Sequence, residues 1–319
     1  MAPVLAIVVP CYNEEEVLPV TLPLFLNKLD ELVLAGLAAP DSRLLFVDDG
    51  SRDATWNLIC EAASNDVRVA GITLSRNRGH QNALFAGLME ALTFCDVSIS
   101  IDVDGQDDCD AMDAMLRLYA EGNDVVYGVR DDRSTDTLFK RFTAQAYYRL
   151  LNLMDVHAIF NAADYRLMSK KALEALAEYS EVNLFLRGLV PHLGLPSSEV
   201  TYARRERLEG KTHYPLRKML HLAFDGITSF SVRPIRLIIG FGFLVSLFSL
   251  ALIIWALVVH FAGHTVPGWS SNLILIAFFG GLQILAIGII GEYIGKIYLE
   301  VKERPRYFVA NRVGFEESK

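Results

Sequence analysis

Short apolar runs separated by segments with helical spacing dominate the first 130 positions. Val4–Val9, Leu44–Val47, Ala70–Leu74, Val97–Ile101 and Asp124–Tyr127 read as strands, each brief, apolar and bounded by polar or turn-forming residues. Between them Glu16–Leu34, Asp53–Ala63, Gln81–Thr93 and Asp110–Tyr119 read as helices. This alternation predicts an α/β fold with a mostly parallel sheet covered on both faces. Further along, Pro215–Phe230 places Leu216, Met219, Leu220, Ala223, Phe224, Ile227 and Phe230 on one helical face, as expected of a helix lying in a membrane surface. Leu138–Met154, which mixes apolar positions with Lys140, Arg141 and Arg149, is a second interfacial candidate. Leu237–Val259 and Thr265–Gly291 contain no charged residue. At about 1.5 Å per residue, each can cross a hydrocarbon layer of roughly 30 Å.

The expected organisation is an α/β domain over 1–212, a juxtamembrane amphipathic helix over 213–234, a two-helix transmembrane hairpin over 235–296 and a tail over 297–319. Basic residues flank both apolar stretches: Arg217, Lys218, Arg233 and Arg236 before the first, and Lys296, Lys302, Arg304, Arg306 and Arg312 after the second. The intervening loop has no Lys or Arg, so the α/β domain and both termini are expected on the cytoplasmic side of the inner membrane. No basic segment precedes Val4–Val9, so no signal peptide is expected.

Composition supports that division. The 319 residues are 52% hydrophobic, with a mean hydropathy of +0.29. The net charge of −8 conceals an acidic first part, with 16 basic and 30 acidic side chains in residues 1–200, and a basic remainder with 14 and 8. That skew suits anionic lipid head groups and argues against nucleic acid as a partner. The four cysteines all lie in the first domain without metal-ligand spacing, as reduced thiols would. No third glycine follows Gly240-Phe241-Gly242, and no Gly-x₄-Gly-Lys loop is present, which leaves no dinucleotide or P-loop signature.

The candidate chemistry sits where the predicted strands end. Strand four runs into Ile101-Asp102-Val103-Asp104-Gly105-Gln106-Asp107-Asp108. Residues i and i+2 share one side of a strand, and ligands of α/β sheets sit beyond the strand carboxyl ends. Asp102 and Asp104 therefore suit Mg²⁺ or Mn²⁺, hard ions that bridge one or two carboxylates to phosphates; an acidic turn is the plainer alternative. Strand one ends in Pro10-Cys11-Tyr12-Asn13-Glu14, which offers an aromatic face and amide groups to a nucleobase. Strand two ends in Asp48-Asp49-Gly50-Ser51, and strand three in the polar loop Arg76-Asn77-Arg78-Gly79-His80-Gln81-Asn82, suited to ribose or phosphate.

With these motifs in order, the chain resembles the inverting family-2 glycosyltransferases of GT-A fold. Within them it is similar to the polyprenyl-phosphate branch that includes bactoprenol glucosyltransferases and dolichyl-phosphate mannose synthase. The resemblance spans nearly the whole chain, including Asn161–Met168 and Gly291-Glu292-Tyr293-Ile294-Gly295-Lys296. It implies a nucleotide-sugar donor, UDP-glucose by best guess, held by Pro10, Tyr12, Asn13, Glu14, Asp48, Asp49, Arg76, Asn77 and Asp102. It implies a metal at Asp102, Asp104 and Gln106, and catalytic roles for Asp104 and Asp164, the latter as base or as orienting group. The acceptor it implies is polyprenyl (undecaprenyl) phosphate, whose phosphate would meet the basic segment carrying Arg204, Arg205, Arg207, Lys211, His213 and Lys218. Tyr165 stands where relatives commonly have Phe, His213 where they have Lys, and Gly105 and Asp108 where they have Leu and Pro. Gly291-x-x-x-Gly295 allows close helix contact and suggests a homo-oligomer. Two alternatives are a processive polysaccharide synthase, although no Gln-x-x-Arg-Trp motif is present, and an inactive nucleotide-sugar-binding scaffold.

Overall fold

The computed structural model describes residues 2–131, 162–182, 184–203, 233–262 and 268–315. Leu138–Met154, Pro215–Phe230 and the six basic acceptor candidates lie outside them. The described elements are β1 (Leu5–Cys11), α1 (Leu18–Leu34), β2 (Arg43–Asp48), α2 (Thr55–Asn65), β3 (Val69–Leu74), α3 (His80–Ala91), β4 (Val97–Ser100), α4 (Ala111–Ala120), β5 (Val125–Asp131) and β6 (Ala162–Ser169). They continue with α5 (Lys170–Ala177), α6 (Leu186–His192), β7 (Ser197–Ala203), α7 (Arg233–Phe261), α8 (Trp269–Val301) and β8 (Val309–Val313).

All eight strands form one sheet in the order β7-β5-β6-β4-β1-β2-β3-β8. β1 pairs in parallel with β2 and β4, β2 with β3, and β5 with β7. β6 runs antiparallel to both β4 and β5, and β8 antiparallel to β3. The sheet is therefore mixed, where the alternating pattern predicts a mostly parallel one. The two reversed strands lie beyond the regular βα repeat: Asn161–Met168 was read as a motif, and β8 falls in the predicted tail.

Both faces are covered, as the continuous apolar runs require. Leu5, Ile7 and Val9 pack with Phe25, Leu29, Ile59 and Met112 from α1, α2 and α4. Ala6 and Val8 face α3, α5 and α6 through Ala83, Leu88, Leu173 and Leu189. Gly87 brings α3 close to the sheet: a Cβ there would lie 2.5 Å from side-chain carbons of Val8 and Val47. Gly87→Ala is accordingly expected to destabilise the domain by about 1–3 kcal/mol through overpacking. Chemical denaturation measures this, and a wild-type midpoint would contradict so close a contact.

The chain after α8 returns to the sheet. β8 extends the β3 edge, and Ser75 N–H donates to the Phe308 carbonyl at 2.9 Å. Arg312 makes a two-point ion pair with Glu90 of α3 at 2.8 and 3.0 Å. Tyr307 and the Arg306 guanidinium pack on Phe85. Among the described residues one segment, Phe278–Val301 of α8, is long and apolar enough to cross a membrane, with mean hydropathy 1.5. The 29-residue α7 precedes it, and large apolar side chains of both helices, such as Leu237, Phe243, Ile276 and Ile284, are exposed.

Candidate active site

The carboxyl ends of β1, β2, β3, β4 and β5 define one edge of the sheet. There the loops after β1 and β2 are tied together. Asn13, at φ +54°, donates its N–H to Ser51 Oγ at 2.9 Å, and its Oδ1 accepts from Arg52 N at 2.9 Å. Glu14 N donates to Thr55 Oγ1 at 2.8 Å. Tyr12 leaves an exposed aromatic surface at this edge, whereas Pro10 is buried within β1 opposite Val47.

Asp48 and Asp49 are both buried, and each is engaged inside the protein. Asp48 accepts from Thr73 Oγ1 at 2.5 Å and from Ser51 N at 3.1 Å. Asp49 accepts Arg78 N at 2.7 Å and Gly79 N at 2.8 Å, so it holds the β3–α3 loop that carries exposed Arg76 and Asn77. Burial pushes the Asp49 carboxyl up, with these two hydrogen bonds in opposition. The loop crosses so close to Gly50, at φ +68°, that a Cβ would sit 2.6 Å from a backbone carbon of Arg76. Only glycine fits that turn.

β4 delivers Asp102 and Asp104 to the same edge, and Gln106 N donates to Asp104 Oδ1 at 3.1 Å. Because β6 runs antiparallel, its first turn lies at this edge too and places Asp164 beside them. His80, at the start of α3, joins the acids: its Nε2 is 3.7 Å from Asp102 Oδ1 and 3.3 Å from Asp164 Oδ2. Burial lowers the His80 pKa, but the Asp164 hydrogen bond and the Asp102 charge outweigh it and leave the ring more basic than usual. Burial pushes the Asp102 carboxyl up to about 6; His80 opposes the shift, and the charges of Asp164, Asp107 and Asp104 add to it. The Asp164 carboxyl, although buried, is held well below the usual range by Arg187 and His80.

The next acid, Asp107, has an inward role. Its side chain is fully buried, and Oδ1 accepts from Tyr202 OH at 2.6 Å and from Arg130 Nε and Nη2 at 3.2 and 3.0 Å. The metal-binding expectation is chemically consistent with this edge. Its oxygen donors are hard, and the Asp164, Asp107 and Asp104 charges, which add to the rise that burial causes in the Asp102 pKa, are what a divalent cation would relieve. No group of three or more His, Cys, Asp or Glu converges on a point among the described residues.

The sequence placed His80 and Gln81 only within the polar loop suited to ribose or phosphate and gave no role to Asp107, Arg130, Arg187 or Tyr202. Two had a visible signal: Arg187 interrupts the apolar run 184–190, and Arg130 closes the run that becomes β5. β7 ends at the same edge, and Arg204 is the next residue in sequence.

The model of the family described as "Glycosyl transferase family 2" matches residues 6–177, which include every strand end described above except that of β7. The chain belongs to glycosyl transferase family 2. This family-2 glycosyltransferase is 52% identical over 307 residues to YkoT, an uncharacterised glycosyltransferase of Bacillus subtilis (strain 168), with 96% of this chain and 91% of that protein covered. It is 38% identical to the bactoprenol glucosyl transferase of Shigella phage SfX over 310 residues, 97% of this chain and 99% of that one. Among solved structures, glucosyl-3-phosphoglycerate synthase of Mycobacterium tuberculosis with Mn²⁺, UDP-glucose and phosphoglyceric acid aligns at 19% identity. The alignment covers 71% of this chain and 78% of that one, with a TM-score of 0.42. The mixed α/β sheet is the GT-A-like fold expected of the family.

Proposed function

We propose that this glycosyltransferase moves one sugar, glucose from UDP-glucose by best guess, onto polyprenyl phosphate at the cytoplasmic membrane face. The observation that carries the proposal is the 38% identity to a bactoprenol glucosyl transferase, which runs through α7 and α8 as well as the catalytic domain. An acceptor phosphate oxygen attacks the anomeric carbon opposite the leaving diphosphate, the bond to the diphosphate oxygen breaks, and the configuration inverts. Mg²⁺ or Mn²⁺ held by Asp102 and Asp104, with Gln106 adjacent, would supply positive charge to the leaving diphosphate. Tyr12, Asn13 and Glu14 would face the base and ribose, with Arg76 and Asn77 near the phosphates. Asp48 and Asp49 would act through the loops they hold. The segment with Arg204, Arg205, Arg207, Lys211, His213 and Lys218 would draw the lipid phosphate to the site edge.

Sheet closure supports two membrane crossings. β8 follows α8 yet pairs with β3 of the catalytic domain, so the chain leaves and returns on one side. If α8 spans the bilayer, α7 must span it as well, because one crossing would put β8 on the wrong face. The test is radiolabelled transfer by the full-length protein with polyprenyl phosphate and a panel of nucleotide sugars. Label is expected in organic-extractable lipid, lost in EDTA and restored by Mg²⁺ or Mn²⁺. Label confined to a large polymer would instead identify a processive synthase, and no transfer with any donor would leave a binding scaffold.

A further inference from the structure

Asp164 is a buried acid at the sheet edge beside His80, and the Arg187 and His80 side chains cover it. Arg187 Nε and Nη2 reach its two oxygens at 3.1 Å each, His80 Nε2 lies at 3.3 Å, and Gln81 Nε2 donates to it at 3.3 Å. The Asp164 side chain is 6% exposed, while those of Arg187 and His80 are 40% and 43% exposed. A group arriving from solvent therefore meets the guanidinium and the imidazole before the carboxylate.

Arg187 also projects from a braced piece of backbone. The N–H of Leu186 donates to Gln81 Oε1 at 2.9 Å, and the Leu186 carbonyl accepts from the buried Arg166 Nη1 at 3.3 Å. Both braces also address Asp164, Gln81 through its amide and Arg166 with Nη2 3.8 Å from Oδ1. Ordering a long arginine side chain costs rotamer entropy, which a two-point ion pair on a fixed backbone offsets.

We propose that Arg187 binds the phosphate monoester of the acceptor, with Asp164 behind it as a buried counter-ion and positioning residue. This role rests on the transfer to polyprenyl phosphate proposed above. Three considerations favour it. A phosphate monoester is already largely ionised near neutral pH, its second pKa being about 6, so it needs a cation more than a base. Asp164 is held ionised by Arg187 and His80 and is a poor proton acceptor. The contacts link Asp102 to His80, His80 to Asp164 and Asp164 to Arg187, so Arg187 reaches the carboxylate expected on the donor side only through two intervening residues. Paired guanidinium donors match phosphate geometry.

The experiment uses the full-length protein in detergent, with farnesyl phosphate as equilibrium-binding probe and steady-state transfer in both substrates. Arg187→Gln is expected to weaken farnesyl phosphate binding and raise the acceptor KM by about tenfold or more, the worth of a charge-assisted hydrogen bond. The donor KM should stay within about twofold, and Arg187→Lys should recover part of the loss. Asp164→Asn should bind farnesyl phosphate at least as tightly as wild type although turnover falls. If Arg187→Gln fails to fold, the double variant Asp164→Asn/Arg187→Gln replaces the ion pair with a neutral pair and carries the same expectation. Unchanged farnesyl phosphate affinity on loss of Arg187 would overturn the assignment, as would weaker binding in Asp164→Asn alone. A rise confined to the donor KM would move Arg187 to the donor diphosphate and overturn it too. If the wild type transfers no sugar to polyprenyl phosphate, the proposed function fails, while the binding arms still decide the role of Arg187.

Discussion

Asp102→Asn is expected to slow transfer by about a thousandfold, at the upper end for loss of one preorganised electrostatic group, while raising the melting temperature at about pH 8. The two effects share one cause. Burial strains the Asp102 carboxylate, and the neighbouring Asp164, Asp107 and Asp104 charges strain it further against the help of His80, so that it takes up a proton at about 6. The folded state therefore holds that proton more tightly than the unfolded chain, whose aspartate titrates near the ordinary value of 3.8. As pH rises through this window, the folded state loses stability relative to the unfolded one. Asparagine carries no charge and avoids the loss, so the gain in melting temperature should appear above about pH 6 and vanish near pH 4. Transfer suffers because the same negative charge is what would hold a divalent cation against the donor diphosphate. Melting curves without divalent ions at both pH values, beside transfer rates with Mn²⁺, check both halves. A variant that transfers normally, or that melts lower at pH 8, would refute the account.

Asp107→Ala should produce the largest loss of stability, about 3–5 kcal/mol, because removing one partner of a buried ion pair strands the other charge. Asp107 Oδ1 is the acceptor for Arg130 Nε and Nη2 and for Tyr202 OH. Truncation would leave a guanidinium and a phenol hydroxyl at the carboxyl ends of β5 and β7 without that acceptor. Tyr202→Phe removes one of those bonds and is expected to cost about 1–3 kcal/mol, the range for a hydrogen bond to a charged group. Urea titrations of the two variants would separate them, and a loss below 1 kcal/mol for Asp107→Ala would show that the network is not held as described. The consequence reaches beyond stability. Asp107 lies in the loop that carries Asp102 and Asp104, and Tyr202 lies two residues before Arg204. Their 2.6 Å bond therefore joins the loop expected to hold the donor to the strand that leads into the basic segment.

Much of the site was legible because four strands run the same way and end at one edge. β1, β2, β3 and β4 each end within a residue or two of the predicted position, since buried parallel strands are simply the apolar runs. Asp102, Asp104 and the Tyr12–Glu14 turn reach that edge for that reason. The pattern failed at β6, β7 and β8. β7 alternates exposed and partly buried positions at the sheet margin, and β8 is short, mostly exposed and broken by Asn311 and Arg312, so neither forms an apolar run. Asp164 was picked out by resemblance, but its partners Gln81 and Arg187 are 83 and 23 residues away, and no local pattern links them.

The sequence alone determined which runs form the buried parallel strands, where the acids cluster and that the chain carries long apolar stretches toward its end, because each of these follows from local composition and period. Tertiary structure alone decided that the chain returns after α8 to close the sheet. It also decided which acids serve structure and which stay at the open edge. Asp48, Asp49 and Asp107 look no different from Asp102 and Asp104 in the sequence. What separates them is whether hydroxyl, amide or guanidinium donors from distant segments reach them. That depends on the packing of the sheet, since a carboxylate's role is set by its neighbours in space.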